Sequence, residues 1–202
     1  MNAPPETDAT AIDGDVLPGP AVSKKRRRSN GRRQAIEWVV LVAGALIIAV
    51  LIKTFLFQAF YIPSASMDPT LKVHDRVLVN KLSYHLHSVH RGDIVVFKAP
   101  PEERTDKIKD LVKRVIGLPG DTLEARDGQI YVNDRLLKEP YLPDGTRTED
   151  LPSTVIPAGH YFMMGDNRGA SSDSRVFGPI KRSTIIGRAF VTMWPLNRLG
   201  FL

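Results

Sequence analysis

Four segments of this 202-residue chain concentrate the residues able to do chemistry. The first, Tyr61-Ile-Pro-Ser-Ala-Ser-Met-Asp-Pro-Thr-Leu71, holds Ser64 and Ser66 in a turn between Pro63 and Pro69. Small residues around a serine let a substrate backbone approach closely, although Ser, Ala and Pro also make ordinary solvated loops. The second, Asp110-Leu-Val-Lys-Arg-Val-Ile-Gly-Leu-Pro-Gly-Asp121, carries Lys113 inside a strand-like apolar run. Alternation puts Leu111, Lys113 and Val115 on one face. A lysine is unusual on a buried face; the commoner fate of a strand lysine is to point to water from an edge.

The third segment, Met164-Gly-Asp-Asn-Arg-Gly-Ala-Ser-Ser-Asp-Ser-Arg175, is turn-rich. Its two Asp–Arg combinations suggest a hydrogen-bonded lattice that would hold a neighbouring site rigid. The fourth, Tyr84-His-Leu-His-Ser-Val-His90, invites a metal reading. As a strand, however, it puts His85 and His87 on one face and His90 on the other, and no Glu stands close. Neither a metal site nor a Ser–His–Asp triad is assigned there.

These segments need elements to position them. Residues 1–34 are rich in Pro, Ala, Asp, Gly and charge without helical or strand period, and read as a disordered tail. Residues 38–52 are fifteen in a row without a charge; Lys53 interrupts, and 54–60 continue the apolar character. A bilayer crossing takes ~20 residues, so a single transmembrane signal-anchor helix over 35–60 is expected, with Lys53 reaching toward the head groups. It has no polar face to rest on water as a core helix would, and its polar leader is too long for a cleaved signal peptide. Lys24, Lys25, Arg26, Arg27, Arg28, Arg32 and Arg33 precede the span and supply much of the net charge of +6. By the positive-inside rule the N-terminus is cytoplasmic and the chain after about residue 60 lies on the outer face of the cell membrane. The basic run is read as a topology determinant and a contact for anionic phospholipids, not for nucleic acid.

Residues 61–202 are read as one extracytoplasmic β domain. Short apolar runs at 75–80, 93–98, 111–116, 122–124, 129–132, 136–137, 160–164 and 184–193 alternate with turn signals, among them Asp127-Gly128 and Asn133-Asp134, which suggest two hairpins. No long amphipathic helix follows the anchor, so the expected fold is mostly β, an antiparallel sheet. Residues 138–157 have few apolar side chains and are expected to form an exposed loop. The absence of cysteine excludes disulfides, thiolate metal sites and a cysteine nucleophile.

In this order, just after an anchor, the segments resemble bacterial type I signal peptidases. The likeness covers residues 60–193 in five parts: the Pro-Ser-x-Ser-Met-x-Pro-Thr-Leu box, the 75–81 strand, the Arg-Gly-Asp-Ile-Val-Val-Phe run at 91–97, the Lys-Arg-Val-x-Gly-Leu-Pro-Gly-Asp box, and the Gly-Asp-Asn-Arg…Ser-x-Asp-Ser-Arg box. Each part alone is weak; five in order are a strong signal. The resemblance implies an antiparallel β domain that contacts the membrane surface. It also implies a serine endopeptidase that removes signal peptides bearing small residues before the cut, without metal or cofactor. The secretion translocon is a further partner on this view.

By the same resemblance Ser66 is the nucleophile, Lys113 the general base, and Ser64 an oxyanion-hole donor beside the Ser66 N–H. Ser171 orients Lys113, while Asp166, Arg168, Asp173 and Arg175 brace the site through ion pairs. Phe60, Ile62, Pro63, Leu71, Leu111 and Val112 line the substrate pockets. Gly169-Ala170 depart from the Asp-Asn of many members. A lysine base must be neutral, yet at its ordinary pKa only about one lysine in a thousand is so near pH 7. The apolar flanks Leu111, Val112, Val115 and Ile116 would supply the desolvation that lowers it. Asp166 and Asp173 are therefore expected to engage arginines, since a carboxylate at Lys113 would favour its charged form.

Overall fold

The computed structural model describes residues 31–52, 56–106 and 108–202. Helix α1, Gly31–Leu51, buries none of its residues and is the one helix among the described residues long and apolar enough to cross a membrane. It starts and ends earlier than the expected 35–60. Gln34 and its neighbours back to Gly31, read as tail, are helical, and Phe57–Tyr61 is strand β1. The reason is a competing ladder: β1 pairs with a second strand from Phe57↔Asn80 to Tyr61↔Arg76. Aromatic segments suit that environment, and composition alone cannot tell such a strand from the end of an apolar helix. The basic run at 24–28 and Lys53 lie outside the described residues.

The strands after β1 are β2 Arg76–Asn80, β3 Ile94–Lys98, β4 Asp110–Gly117, β5 Thr122–Arg126, β6 Gln129–Val132, β7 Arg135–Leu136, β8 Leu151–Val155, β9 His160–Met164, β10 Ile180–Lys181, β11 Ile185–Trp194 and β12 Gly200–Phe201. One sheet runs β1-β2-β11-β3-β4-β9-β10 with β12 on β11; a second runs β7-β6-β5-β8. All the pairings are antiparallel, as expected from the spacing of apolar runs and turns. The hairpins at Asp127-Gly128 and Asn133-Asp134 join β5 to β6 and β6 to β7, and all four residues have φ between 52° and 82°. Short Asn, Asp and Gly tolerate that region, which matches the twist of the flanking strands.

The larger sheet is covered on both faces. Ile94 and Val96 of β3 enter one cluster with Met67, Leu71, Val77 and Val79. Val95 and Phe97 enter another with Val115, Tyr161 and Met163. Burial on both faces is why β3 reads as a continuous apolar run rather than an alternating one. A third cluster, built on Ile116, Leu123, Ile130 and Phe162, joins the two sheets.

The His85 segment, weighed above only as it would lie on a strand, forms a helical turn, α2, at Ser83–Leu86, because Asn80 Oδ1 accepts the Leu82 and Ser83 N–H groups and turns the chain as it leaves β2. His85, His87 and His90 are all exposed. One expectation needs correction: 138–157 is not simply an exposed loop. It contains β8, and it buries Thr148 and Ile156.

Candidate active site

Lys113 sits in the middle of β4, opposite Val95 on β3. Pairing with β9 on the other side begins at the next residue, Arg114↔Met164, so β4 is an interior strand and the lysine is 2% exposed. Its Nζ donates to Ser171 Oγ at 2.9 Å. Burial pushes its pKa down to about 8; the carboxylates of Asp173 and Glu103 pull the other way and only partly offset it.

Arg114 donates from Nε and Nη2 to the two Asp166 oxygens at 2.9 and 2.6 Å. Its Nη1 bonds the Gly92 carbonyl at 2.9 Å. Its guanidinium lies 3.7 Å from the centre of the Tyr141 ring. The sequence box contained Arg114, but nothing local marked it as the partner of Asp166, 52 residues away.

Ser66 stands in the turn after β1. The turn is anchored by Met67 and Leu71, both fully buried, and by the Leu71 N–H on the Met67 carbonyl at 2.9 Å. That leaves Ser66 half-buried and Ser64 exposed, with their hydroxyl oxygens 3.4 Å apart. Among the described residues the Ser66 N–H donates no hydrogen bond. Leu71 was expected at a pocket wall; it belongs instead to the core cluster behind the turn.

The segment after β9 joins the serine turn to the lysine. Gly165 packs so tightly that a Cβ there would collide with both the Ser66 carbonyl oxygen and the Ser171 hydroxyl. Asn167 then clasps the turn twice, its N–H on the Ser66 carbonyl and its Nδ2 on the Ala65 carbonyl, each at 3.1 Å. Asn167 belongs to the Gly-Asp-Asn-Arg box, but residue type alone does not disclose its backbone contact.

The bracing charges each find a partner. Burial would raise the Asp173 carboxyl, but Arg175, the Gly165 N–H and the Ser171 hydroxyl hold it below its ordinary value. Arg175 Nη2 reaches it at 2.8 Å, and it caps the short helix α3, Ser174–Phe177. Arg168 pairs with Glu139 at 2.5 Å, a partner the sequence reading missed because Glu139 lies in the supposed loop. Asp166 and Asp173 thus engage arginines, though Asp173 still acts on Lys113 through space.

A cavity of about 350 Å³ opens beside Ser64 and Ser66. Phe60, Ile62, Pro63, Leu111 and Val112 line it, as do Tyr61, Met67, Ile108, Lys109 and Asp110, which the sequence reading did not assign. Small apolar side chains of an extended peptide would fit such a space.

Comparison with known proteins gives a consistent result. The family model described as signal peptidase, peptidase S26, matches residues 35–194. A probable signal peptidase I-2 of Synechocystis sp. is 39% identical over 181 residues, 89% of this chain and 83% of that protein. A signal peptidase I of Leptolyngbya laminosa is 41% identical over 170 residues, 83% of each chain. Signal peptidase IB of Staphylococcus aureus is 37% identical over 84% of this chain and 95% of its own. A crystal structure of a signal peptidase I from Enterococcus faecalis V583 aligns at 34% identity with 50% of this chain and 97% of its own, with a TM-score of 0.43. With a match that takes in most of helix α1, the buried lysine strand and the serine turn, this chain belongs to the signal peptidase family, peptidase S26.

Proposed function

We propose that this chain is a membrane-anchored serine endopeptidase that removes N-terminal signal peptides from exported preproteins, with Ser66 as nucleophile and Lys113 as general base. One observation carries the assignment: Gly165 abuts both the Ser66 carbonyl and Ser171, and Ser171 accepts from Lys113 at 2.9 Å. The half-buried serine's turn and the hydroxyl that holds the buried lysine thus pack on one glycine, and that lysine's pKa is lowered to about 8. A Ser–Lys pair needs those two properties: access at the nucleophile and desolvation at the base.

Ser171 orients Lys113. Its Oγ accepts from Lys113 Nζ at 2.9 Å, and its hydroxyl helps hold the neighbouring Asp173 carboxyl low. A neutral Lys113 held by that bond keeps its lone pair for the Ser66 proton. Ser66 then attacks the scissile carbonyl, and Lys113 returns the proton to the leaving amine. The Ser66 N–H, together with the Ser64 hydroxyl, stabilises the oxyanion, a contribution of about 3–4 kcal/mol per donor in enzymes of this kind. Water repeats the sequence on the acyl-enzyme.

The cavity beside Ser66 takes small residues before the cut. Helix α1 anchors the chain, the basic residues before it keep the N-terminus in the cytoplasm, and the β domain works on the outer face of the cell membrane. There it meets phospholipid and substrates arriving from the translocon. The test is cleavage of a purified model preprotein by the full-length protein in detergent, wild type against Ser66→Ala. Equal cleavage by the two would refute the assignment.

A further inference from the structure

The segment between β7 and β8 reaches the site through two arms that start at the half-buried Glu139 and Tyr141. Glu139 takes Arg168, its Oε2 accepting from Nη1 at 2.8 Å and its Oε1 from Nη2 at 2.5 Å. Arg168 in turn donates from Nε to the Gly165 carbonyl at 3.1 Å. Tyr141 lies against the Arg114 guanidinium at 3.7 Å, and Arg114 grips Asp166 through two hydrogen bonds. The Tyr141 hydroxyl donates to Glu139 Oε1 at 2.5 Å and ties the arms together. Both arms end on consecutive residues, Gly165 and Asp166, and Gly165 is the residue against which the Ser66 carbonyl and Ser171 both pack.

We propose that Glu139 and Tyr141 are positioning residues for peptide hydrolysis, holding the segment 165–168 in the register that sets Ser66 against Lys113. The proposal rests on the Ser66–Lys113 reading above. Neither residue lines the substrate cavity. Arg168 exposes 1% of its side chain, so without Glu139 a buried cation loses its ion-pair partner. It would turn toward water and release the Gly165 carbonyl. The hydroxyl of Ser171 would then drift from Lys113 and admit water to it. The groups acting on Lys113 are Asp173, Glu103, Arg175 and Asp166; neither Glu139 nor Tyr141 is among them, so an effect on the base would travel through geometry rather than charge.

The experiment compares wild type, Glu139→Gln, Tyr141→Phe and Ser66→Ala as full-length proteins in detergent. It measures kcat and KM for a synthetic signal-peptide substrate across pH, with rates normalised to the folded fraction by circular dichroism. For Glu139→Gln the expected result is a kcat lower by about ten- to a hundredfold, the usual cost of a misplacement near 1 Å. KM should stay within about twofold, and the rising limb of kcat/KM should move to higher pH as Lys113 gains water. Tyr141→Phe keeps the ring under Arg114 and should show the same changes, smaller. A role confined to stability would lower the folded fraction and leave normalised kcat and the limb unmoved in both variants, which would overturn the proposal. Activity retained by Ser66→Ala would overturn the reading beneath it instead. Should Glu139→Gln fail to fold, Tyr141→Phe decides alone.

Discussion

The serine half and the lysine half of this site are built in opposite ways. Ser66 lies in a turn that the sheet holds from behind, through buried Met67 and Leu71, while its hydroxyl side faces a cavity. Lys113 lies in an interior strand with neighbours on both edges and is 2% exposed. On the proposed mechanism one half admits a peptide and the other excludes water from an ammonium group. The two come from different elements, and the segment 165–167 joins them, through the close packing at Gly165 and the bonds of Asn167 to the serine turn.

The largest effects should come from removing either half. Ser66→Ala and Lys113→Ala are each expected to abolish preprotein processing while the protein still inserts and folds, since neither side chain belongs to the three apolar clusters. Processing assays on purified, folded variants check this; turnover by Lys113→Ala would show that the two halves do not act as a pair.

The next effect isolates the join. Gly165→Ala adds one methyl group that meets the Ser66 carbonyl and Ser171 at once. It should cut kcat by about a hundredfold, as displacement at a reacting centre does. Gly117→Ala adds the same methyl against the tip of Ile156 in the cluster between the sheets. There the expected change is about 1–3 kcal/mol of stability from overpacking, with little change in kcat. Parallel melting curves and turnover numbers distinguish the two; equal loss of kcat in both would dissolve the distinction between join and scaffold.

A smaller effect per step appears in the pH profile. As the proposed base, Lys113 would act only when neutral, so kcat/KM should rise with pH, about tenfold per unit below its pKa, and level off above about 8. A profile flat from pH 6 to 9 would mean that another group takes the serine proton.

The lysine half was easier to read from sequence than its supports. Alternation alone put Lys113 on a face with Leu111 and Val115, and the Asp-Gly and Asn-Asp turns announced two hairpins, because these are local properties of the chain. The ion pairs were not local. Asp166 meets Arg114 across 52 residues and Arg168 meets Glu139 across 29, and nothing in a run of Asp, Asn, Arg and Ser names its partner. Leu71 could not be placed because a core position and a pocket wall ask for the same apolar side chain. Strand β1 was hidden for a similar reason: Phe57–Tyr61 follows an apolar helix with no turn signal between, and only its ladder with β2 distinguishes it.

The smallest expected effect turns on what burying Lys113 costs the fold. Its folded pKa of about 8 lies below the ordinary 10.5. Between those values the unfolded chain holds more protons than the folded one, so stability rises with pH across that window. Below about pH 8 the cost is complete, and it disappears above about 10.5. A difference of that size corresponds to about 3 kcal/mol. Replacing the lysine by methionine removes it and gives back ~1 kcal/mol through the lost bond to Ser171. Lys113→Met should therefore be inactive yet more stable than wild type by about 2 kcal/mol at pH 7. The advantage should shrink as pH rises from about 8 toward 10.5 and turn into a small deficit above it. Denaturant unfolding of both proteins at several pH values measures this directly. A stability difference that does not change with pH would mean that Lys113 is no more dehydrated than a surface lysine, and the contrast between the two halves would lose its physical basis.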